Sequence, residues 1–224
     1  MAILDNIELI VFDIDGTLAE TDDFFIEKSA VILRKVMPFI KKERAEKILR
    51  PLVNISETVF HSFYRLLDLV GLDGLLSKIH SKISVRDEYK YKEIEGMRET
   101  LTLLSKEYKV GILSSGGRHS TRAFLEKFEL TDTISYVISA EDCDYIKPNP
   151  APLKKIAEEA GVPIGSCLMV GDTVFDIICA KRAGARSVAV KSGFDYPRFL
   201  DLYHADLLLD SVNELPKYLL KKNS

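Results

Sequence analysis

The sequence predicts an α/β fold, a doubly wound parallel sheet interrupted by an all-helical insertion, and three observations carry that expectation. Short runs rich in β-branched residues alternate with segments of helical periodicity, the signature of strands joined by crossover helices. The first run, Leu9-Ile10-Val11-Phe12, has no polar alternation and reads as a strand covered on both faces. The stretch between the first strand and the second reads only as helix.

Taken in order, the first strand runs directly into Asp13, Ile14, Asp15 and Gly16 within LIVFDIDGTLAET. After Asp15, apolar residues recur at three-to-four spacing through FFIEKSAVILRKVM, ERAEKILRPLV and ETVFHSFYRLLDLVGL. Residues 20–92 are therefore expected to form an inserted helical domain, and residues 1–19 with 93–224 the sheet-bearing core. Such an insertion is topologically cheap, because both of its ends leave the same edge of the core. Strands return at residues 110–115 (VGILSS), 136–140 (YVISA), 167–172 (CLMVGD) and 187–191 (SVAVK), with a short DLLLD near the end. Helices are expected between them, over residues 97–107, 120–128, 150–160 and 174–183.

Composition narrows the class. The 224 residues are 46% hydrophobic and 29% charged, enough to build a sizeable core, and the net charge of −3 gives no reason to expect nucleic acid. No stretch reaches the ~20 apolar residues that span a bilayer, and Asp5 and Glu8 stand where a signal peptide would be basic and then apolar. A cytoplasmic protein without membrane partners, monomeric or homodimeric, is expected. Cys143, Cys167 and Cys179 form no CxxC pair and read as small buried apolar residues.

In a doubly wound sheet, ligands bind beyond the carboxyl ends of the strands. The first strand ends in Asp13 and Asp15. Two carboxylates about 4 Å apart repel by roughly 4 kcal/mol at an effective dielectric near 20, so a cation is needed to offset them. The second ends in Ser114, Ser115, Gly116 and Gly117, where free backbone N–H groups at a helix start can hold an anion. The third leads through acidic residues to Lys147 and a proline-rich stop. The fourth ends in Gly171 and Asp172, with Asp176 one helical turn later.

Each feature alone has a plain structural explanation as a turn, a helix start or a solvated lysine. Together, four carboxylates, an ammonium and a hydroxyl with free amides suit a divalent cation and a phosphate. Hard oxygen donors without clustered His or Cys point to Mg2+.

DIDGT at 13–17, the strand ending at Ser114, Lys147 in KPNP and GDTVFD at 171–176 resemble, in order and spacing, the four motifs of the haloacid dehalogenase-like hydrolase superfamily. The likeness is to its phosphoglycolate phosphatase and β-phosphoglucomutase-like branch, and it covers nearly the whole chain. The resemblance implies a Rossmann-like core with a helical cap and a Mg2+-dependent phosphatase acting on a small phosphorylated metabolite, phosphoglycolate first among them. Asp13 would attack phosphorus and form an aspartyl-phosphate; Asp15 would protonate the leaving oxygen and then deprotonate water. Ser114, Ser115 and Gly116 would bind phosphoryl oxygens and Lys147 would neutralise the phosphate. Asp13, Asp172 and the backbone carbonyl of Asp15 would hold the metal, with Asp176 steadying Lys147 or a metal-bound water.

Two departures stand out. Phe175 occupies a position that is often polar in relatives, and Ser115-Gly116-Gly117-Arg118-His119 replaces the Asn-Lys type of loop. Arg118 could meet a second anionic group of the substrate or lie exposed at a helix start; His119 reads as a surface residue. Arg50, Asn54, Ser56, His61 and Arg65 are the cap's candidates for substrate selection. Asp15 favours phosphate esters, because relatives that cleave carbon–halogen or carbon–phosphorus bonds lack this second Asp. A phosphosugar mutase of the β-phosphoglucomutase type would use the same groups. A non-catalytic phosphoryl-accepting regulator would need neither the insert nor Asp15, and no GxGxxG follows the first strand to suggest dinucleotide binding.

Overall fold

The computed structural model describes residues 4–20, 41, 44, 91–193 and 197–220. Strand β1 (Leu9–Phe12) is fully buried along its length. It lies at the middle of a six-stranded sheet with β4 (Lys109–Leu113), β5 (Tyr136–Ile138), β6 (Cys167–Gly171), β7 (Arg186–Val190) and β8 (Leu207–Leu209). The spatial order is β5-β4-β1-β6-β7-β8, and every neighbouring pair is parallel. The chain winds outward from β1 to one edge, then returns to β6 and winds to the other. Its direction reverses between β1 and β6, where a doubly wound sheet opens a crevice for ligands.

Side chains alternate across the sheet and sort the helices into two layers. Ile10, Phe12, Val110, Ile112, Leu168 and Val170 pack with Met97, Leu101 and Leu104 of α1 (Met97–Leu104) and with Phe124 of α2 (Arg118–Lys127). On the opposite face Leu9, Val11 and Met169 pack with Leu153 and Ile156 of α3 (Ala151–Ala160) and with Cys179 and Ala180 of α4 (Val174–Ala183). Crossovers that step in opposite directions along the sheet lie on opposite faces, as right-handed connections require. Two short helices, α5 (Pro197–Leu202) and α6 (Pro216–Leu219), complete the layers. Truncating a side chain such as Phe12, with no exposed surface, would cost about 3–5 kcal/mol.

Strands β4, β5 and β6 end one or two residues before the corresponding sequence runs, β4 also begins one residue earlier, β7 keeps its expected length shifted back by one residue, and β1 matches its run. A feature with no sequence counterpart is a two-stranded antiparallel ribbon, in which β2 (Ala19–Glu20) pairs with β3 (Lys92–Glu93) through Ala19↔Glu93 and Glu20↔Lys92. Two-residue strands carry no legible period. Of the helical insert expected over residues 20–92, only its ends and residues 41 and 44 are described; the rest, with Arg50, Asn54, Ser56, His61 and Arg65, lies outside the described residues.

Cys167 and Cys179 are buried as expected, and burial pushes their thiols up to about 11 and about 12, so both stay neutral. Cys143 is only half-buried. Among the described residues no helix is long and apolar enough to cross a membrane.

Candidate active site

The Asp13 N–H donates to the carbonyl of Val170 at 2.9 Å, so Asp13 is the last residue held in the β1–β6 ladder. The strand does not persist to Asp15. The N–H groups of Thr17, Leu18 and Ala19 all converge on the carbonyl of Ile14, at 3.2, 2.9 and 3.0 Å, and fold the segment into a tight turn. Asp13 is therefore buried and Asp15 half-buried, placed by a turn rather than by strand alternation. Gly16 sits in this turn at φ 77°, and a Cβ there would overlap the carboxyl group of Asp172. Only glycine gives both the left-handed conformation and the close approach. The next residue, Thr17, donates its hydroxyl to Asp172 Oδ1 at 3.1 Å, a buried bond spanning the two central strands.

Beyond β6, Asp172 is fully buried and Asp176 stands at the third position of α4. Asp176 Oδ2 accepts hydrogen bonds from the Thr173 N–H at 3.0 Å and the Thr173 hydroxyl at 2.6 Å, closing the first turn. A Cβ on Gly171 would overlap the Asp176 carboxyl, which explains the glycine at the strand end. Asp176 Oδ1 accepts from Lys147 Nζ at 2.7 Å, and the same ammonium lies 2.6 Å from Asp13 Oδ1. The three side chains are only 5% (Lys147), 9% (Asp13) and 2% (Asp176) exposed.

Burial is the largest influence on Asp13. It outweighs the attraction of Lys147 and, with repulsion from Asp176 and Asp15, pushes the carboxyl up to about 7. Burial alone would lower Lys147, but Asp13 and Asp176 hold it well above the ordinary lysine value, so it stays charged. Asp13, Asp172 and Asp176 each offer an oxygen within 4.8 Å of the others, the one such cluster among the described residues. An all-carboxylate donor set with surplus negative charge fits a hard divalent cation. Because Asp176 is committed to Lys147 and Thr173, Asp13 and Asp172 are the two carboxylates best placed to hold one.

At the end of β4, the Ser114 N–H donates to the Ile138 carbonyl at 3.0 Å and its side chain is buried, while Ser115 and Gly116 are half-buried. The loop amides are less free than the sequence suggests. The Gly116 N–H donates to Ser114 Oγ at 3.0 Å, and the Arg118 N–H to Glu141 Oε2 at 2.6 Å. The Arg118 guanidinium pairs with Asp142 Oδ1 at 2.5 Å, and His119 is exposed. Burial would raise Asp142, but hydrogen bonds from the Ser139 hydroxyl and N–H and from Arg118 hold it below the usual carboxylate range. Phe175 packs on Ala140 and Ile146, an apolar contact that braces the segment leading into Lys147. Thr17 and Asp142 had no individual role in the sequence reading, while Thr173 is the helix N-cap that Gly171-Asp172-Thr173 suggests. Thr17 sits inside the DIDGT motif, whereas nothing local marks Asp142.

Residues 10–190 match the family described as "Haloacid dehalogenase-like hydrolase". Over 211 residues the chain is 28% identical to "Pyrophosphatase PpaX" of Bacillus cereus, covering 94% of this chain and 95% of that one. A HAD phosphatase from Thermococcus onnurineus superposes with a TM-score of 0.62 at 26% identity, covering 95% of this chain and 98% of that one. A predicted phosphoglycolate phosphatase from Haemophilus somnus shares the fold, with a TM-score of 0.66 at 19% identity over 96% and 98% of the two chains. The family match opens inside β1 and closes at the last residue of β7, so every strand end that meets the buried acids and Lys147 falls within it: the chain belongs to the haloacid dehalogenase-like hydrolase family.

Proposed function

We propose that this hydrolase is a Mg2+-dependent phosphatase that cleaves a small phosphate monoester through an aspartyl-phosphate on Asp13. The observation that carries the reading is the buried Lys147 ammonium bridging Asp13 and Asp176 beside Asp172. Phosphoryl transfer asks a protein mainly for positioning and for stabilisation of the equatorial oxygens, and a buried cation among hard oxygen donors supplies both.

In the first step an oxygen of the Asp13 carboxylate attacks phosphorus, the bond from phosphorus to the ester oxygen breaks, and Asp15 gives its proton to the departing alkoxide. In the second, water attacks the phosphorus of the aspartyl-phosphate, its proton passes to Asp15, and the bond to Asp13 breaks to release phosphate. Ser114 and the N–H groups of Ser115 and Gly116 hold phosphoryl oxygens, with the Gly116 N–H turning from Ser114 Oγ to the substrate. Lys147 neutralises the phosphoryl charge, and Asp176 fixes Lys147. Mg2+, held by Asp13, Asp172 and the Asp15 carbonyl, would supply charge stabilisation at the phosphoryl group. Thr17 orients Asp172.

Residues 20–92 form the cap in this reading, and residues 1–19 and 93–224 the core. Its support is the β2–β3 ribbon, which sets the two ends of the intervening chain side by side. A cap closing over the crevice would expel water and select the substrate. Phosphoglycolate is the first candidate, and the name of the Bacillus cereus relative adds pyrophosphate, a phosphoanhydride whose leaving group needs less help from Asp15. The test is Mg2+-dependent phosphate release from p-nitrophenyl phosphate, followed by a panel holding phosphoglycolate, pyrophosphate and sugar phosphates. Release that persists undiminished in EDTA would overturn the mechanism.

A further inference from the structure

We infer that Asp142 is a positioning residue that fixes the loop of residues 114–117 against the segment carrying Lys147; this rests on that loop holding the transferring phosphoryl group, as proposed above. The two loops follow neighbouring strands, β4 and β5, and leave the same rim of the sheet. Asp142 divides its two carboxylate oxygens between them. Oδ1 accepts from Arg118 Nη2 at 2.5 Å and Nε at 3.2 Å, gripping the first residue of α2. Oδ2 accepts from the Ser139 N–H at 2.9 Å and from the Ser139 hydroxyl, just past β5. Its carbonyl accepts from Lys155 Nζ on α3, the helix that follows Lys147.

Two further bonds run the same way, from the Ala140 N–H to the Gly116 carbonyl at 3.0 Å and from the Arg118 N–H to Glu141 Oε2 at 2.6 Å. A half-exposed ion pair adds little stability in itself. Its consequence is geometric, since Arg118 directly follows Gly117 and its grip on Asp142 sets where the loop amides lie. A shift of about 1 Å in such donors is enough to spoil transition-state contacts. Arg118 thus acts through Asp142 and is not the partner of a second substrate anion.

The test measures KM and kcat for p-nitrophenyl phosphate, and inhibition by inorganic phosphate, in the full-length Mg2+-loaded protein. The variants are Asp142→Ala, Asp142→Asn, Arg118→Ala and the Asp142→Ala/Arg118→Ala double. Asp142→Ala should raise KM and the phosphate inhibition constant about tenfold, with Arg118→Ala about threefold and the double variant no worse than Asp142→Ala. The Mg2+ concentration for half-maximal rate should not move, because Asp172 and Thr17 are untouched. A purely structural role would lower kcat with the folded fraction and leave KM alone, and that result overturns the inference. Should Asp142→Ala fail to fold, an unchanged KM in the exposed Arg118→Ala variant overturns it equally. A wild-type protein that hydrolyses no phosphate ester would instead overturn the phosphatase reading, and this inference with it.

Discussion

Lys147 Nζ lies 2.6 Å from Asp13 and 2.7 Å from Asp176, one buried ammonium serving two carboxylates, one from the end of β1 and the other from the first turn of α4. Without it the two acids would repel in a site that excludes water. Replacing Lys147 with Met should therefore destabilise the metal-free protein by about 3–5 kcal/mol at pH 8, the usual cost of stripping a buried charge of its partner. The loss should shrink at pH 5, where Asp13 can take up a proton. Urea unfolding in EDTA at both pH values measures it, and an equal loss at both would contradict the coupling.

Folding itself should be linked to Asp13 protonation. With its carboxyl raised from 3.8 to about 7, the native metal-free protein binds more protons than the unfolded chain between those values. The stability this group contributes is thus fully present below about pH 4 and lost as pH rises through 7. Asp13→Asn removes that dependence, so the variant should gain on wild type as pH rises from 5 to 8 in EDTA. A stability difference that is flat with pH, or runs the other way, would show that Lys147 and not burial governs Asp13.

Thr17 donates to Asp172 across the central crevice, and its loss should be felt at the cation. Thr17→Val keeps the shape and removes the hydroxyl. Mg2+ affinity, followed by titration calorimetry on the folded protein, should fall about 10–100-fold, as is typical when a ligand's outer partner is lost. Unchanged affinity would remove Thr17 from the site and weaken the assignment of Asp172 as a ligand.

The sheet and the acids at its rim were legible for one reason: strands buried on both faces write continuous apolar runs, and their polar ends are the only interruptions. Leu9–Phe12 followed by Asp13, and Cys167–Gly171 followed by Asp172, show this directly. What was not legible depends on tertiary closure. The Thr17–Asp172 bond joins residues 155 positions apart, and the Arg118–Asp142 pair links two loops whose proximity follows from the β4–β5 pairing. The turn at Ile14 was hidden for a different reason. Asp13 and Asp15 fit strand alternation as well as a turn, and only the N–H groups converging on the Ile14 carbonyl distinguish the two.

The proposed role of Asp13 as the attacking group is the centre of the account, and one measurement bears on it most directly: acid-quenched turnover of a phosphate ester with mass mapping of the peptide that holds residue 13. Wild type should carry one phosphoryl group on Asp13 during turnover, and Asp13→Asn should carry none and lose at least about 10³-fold in kcat. An Asp13→Asn enzyme within about tenfold of wild type, or a phosphoryl group mapped to another side chain, would contradict it.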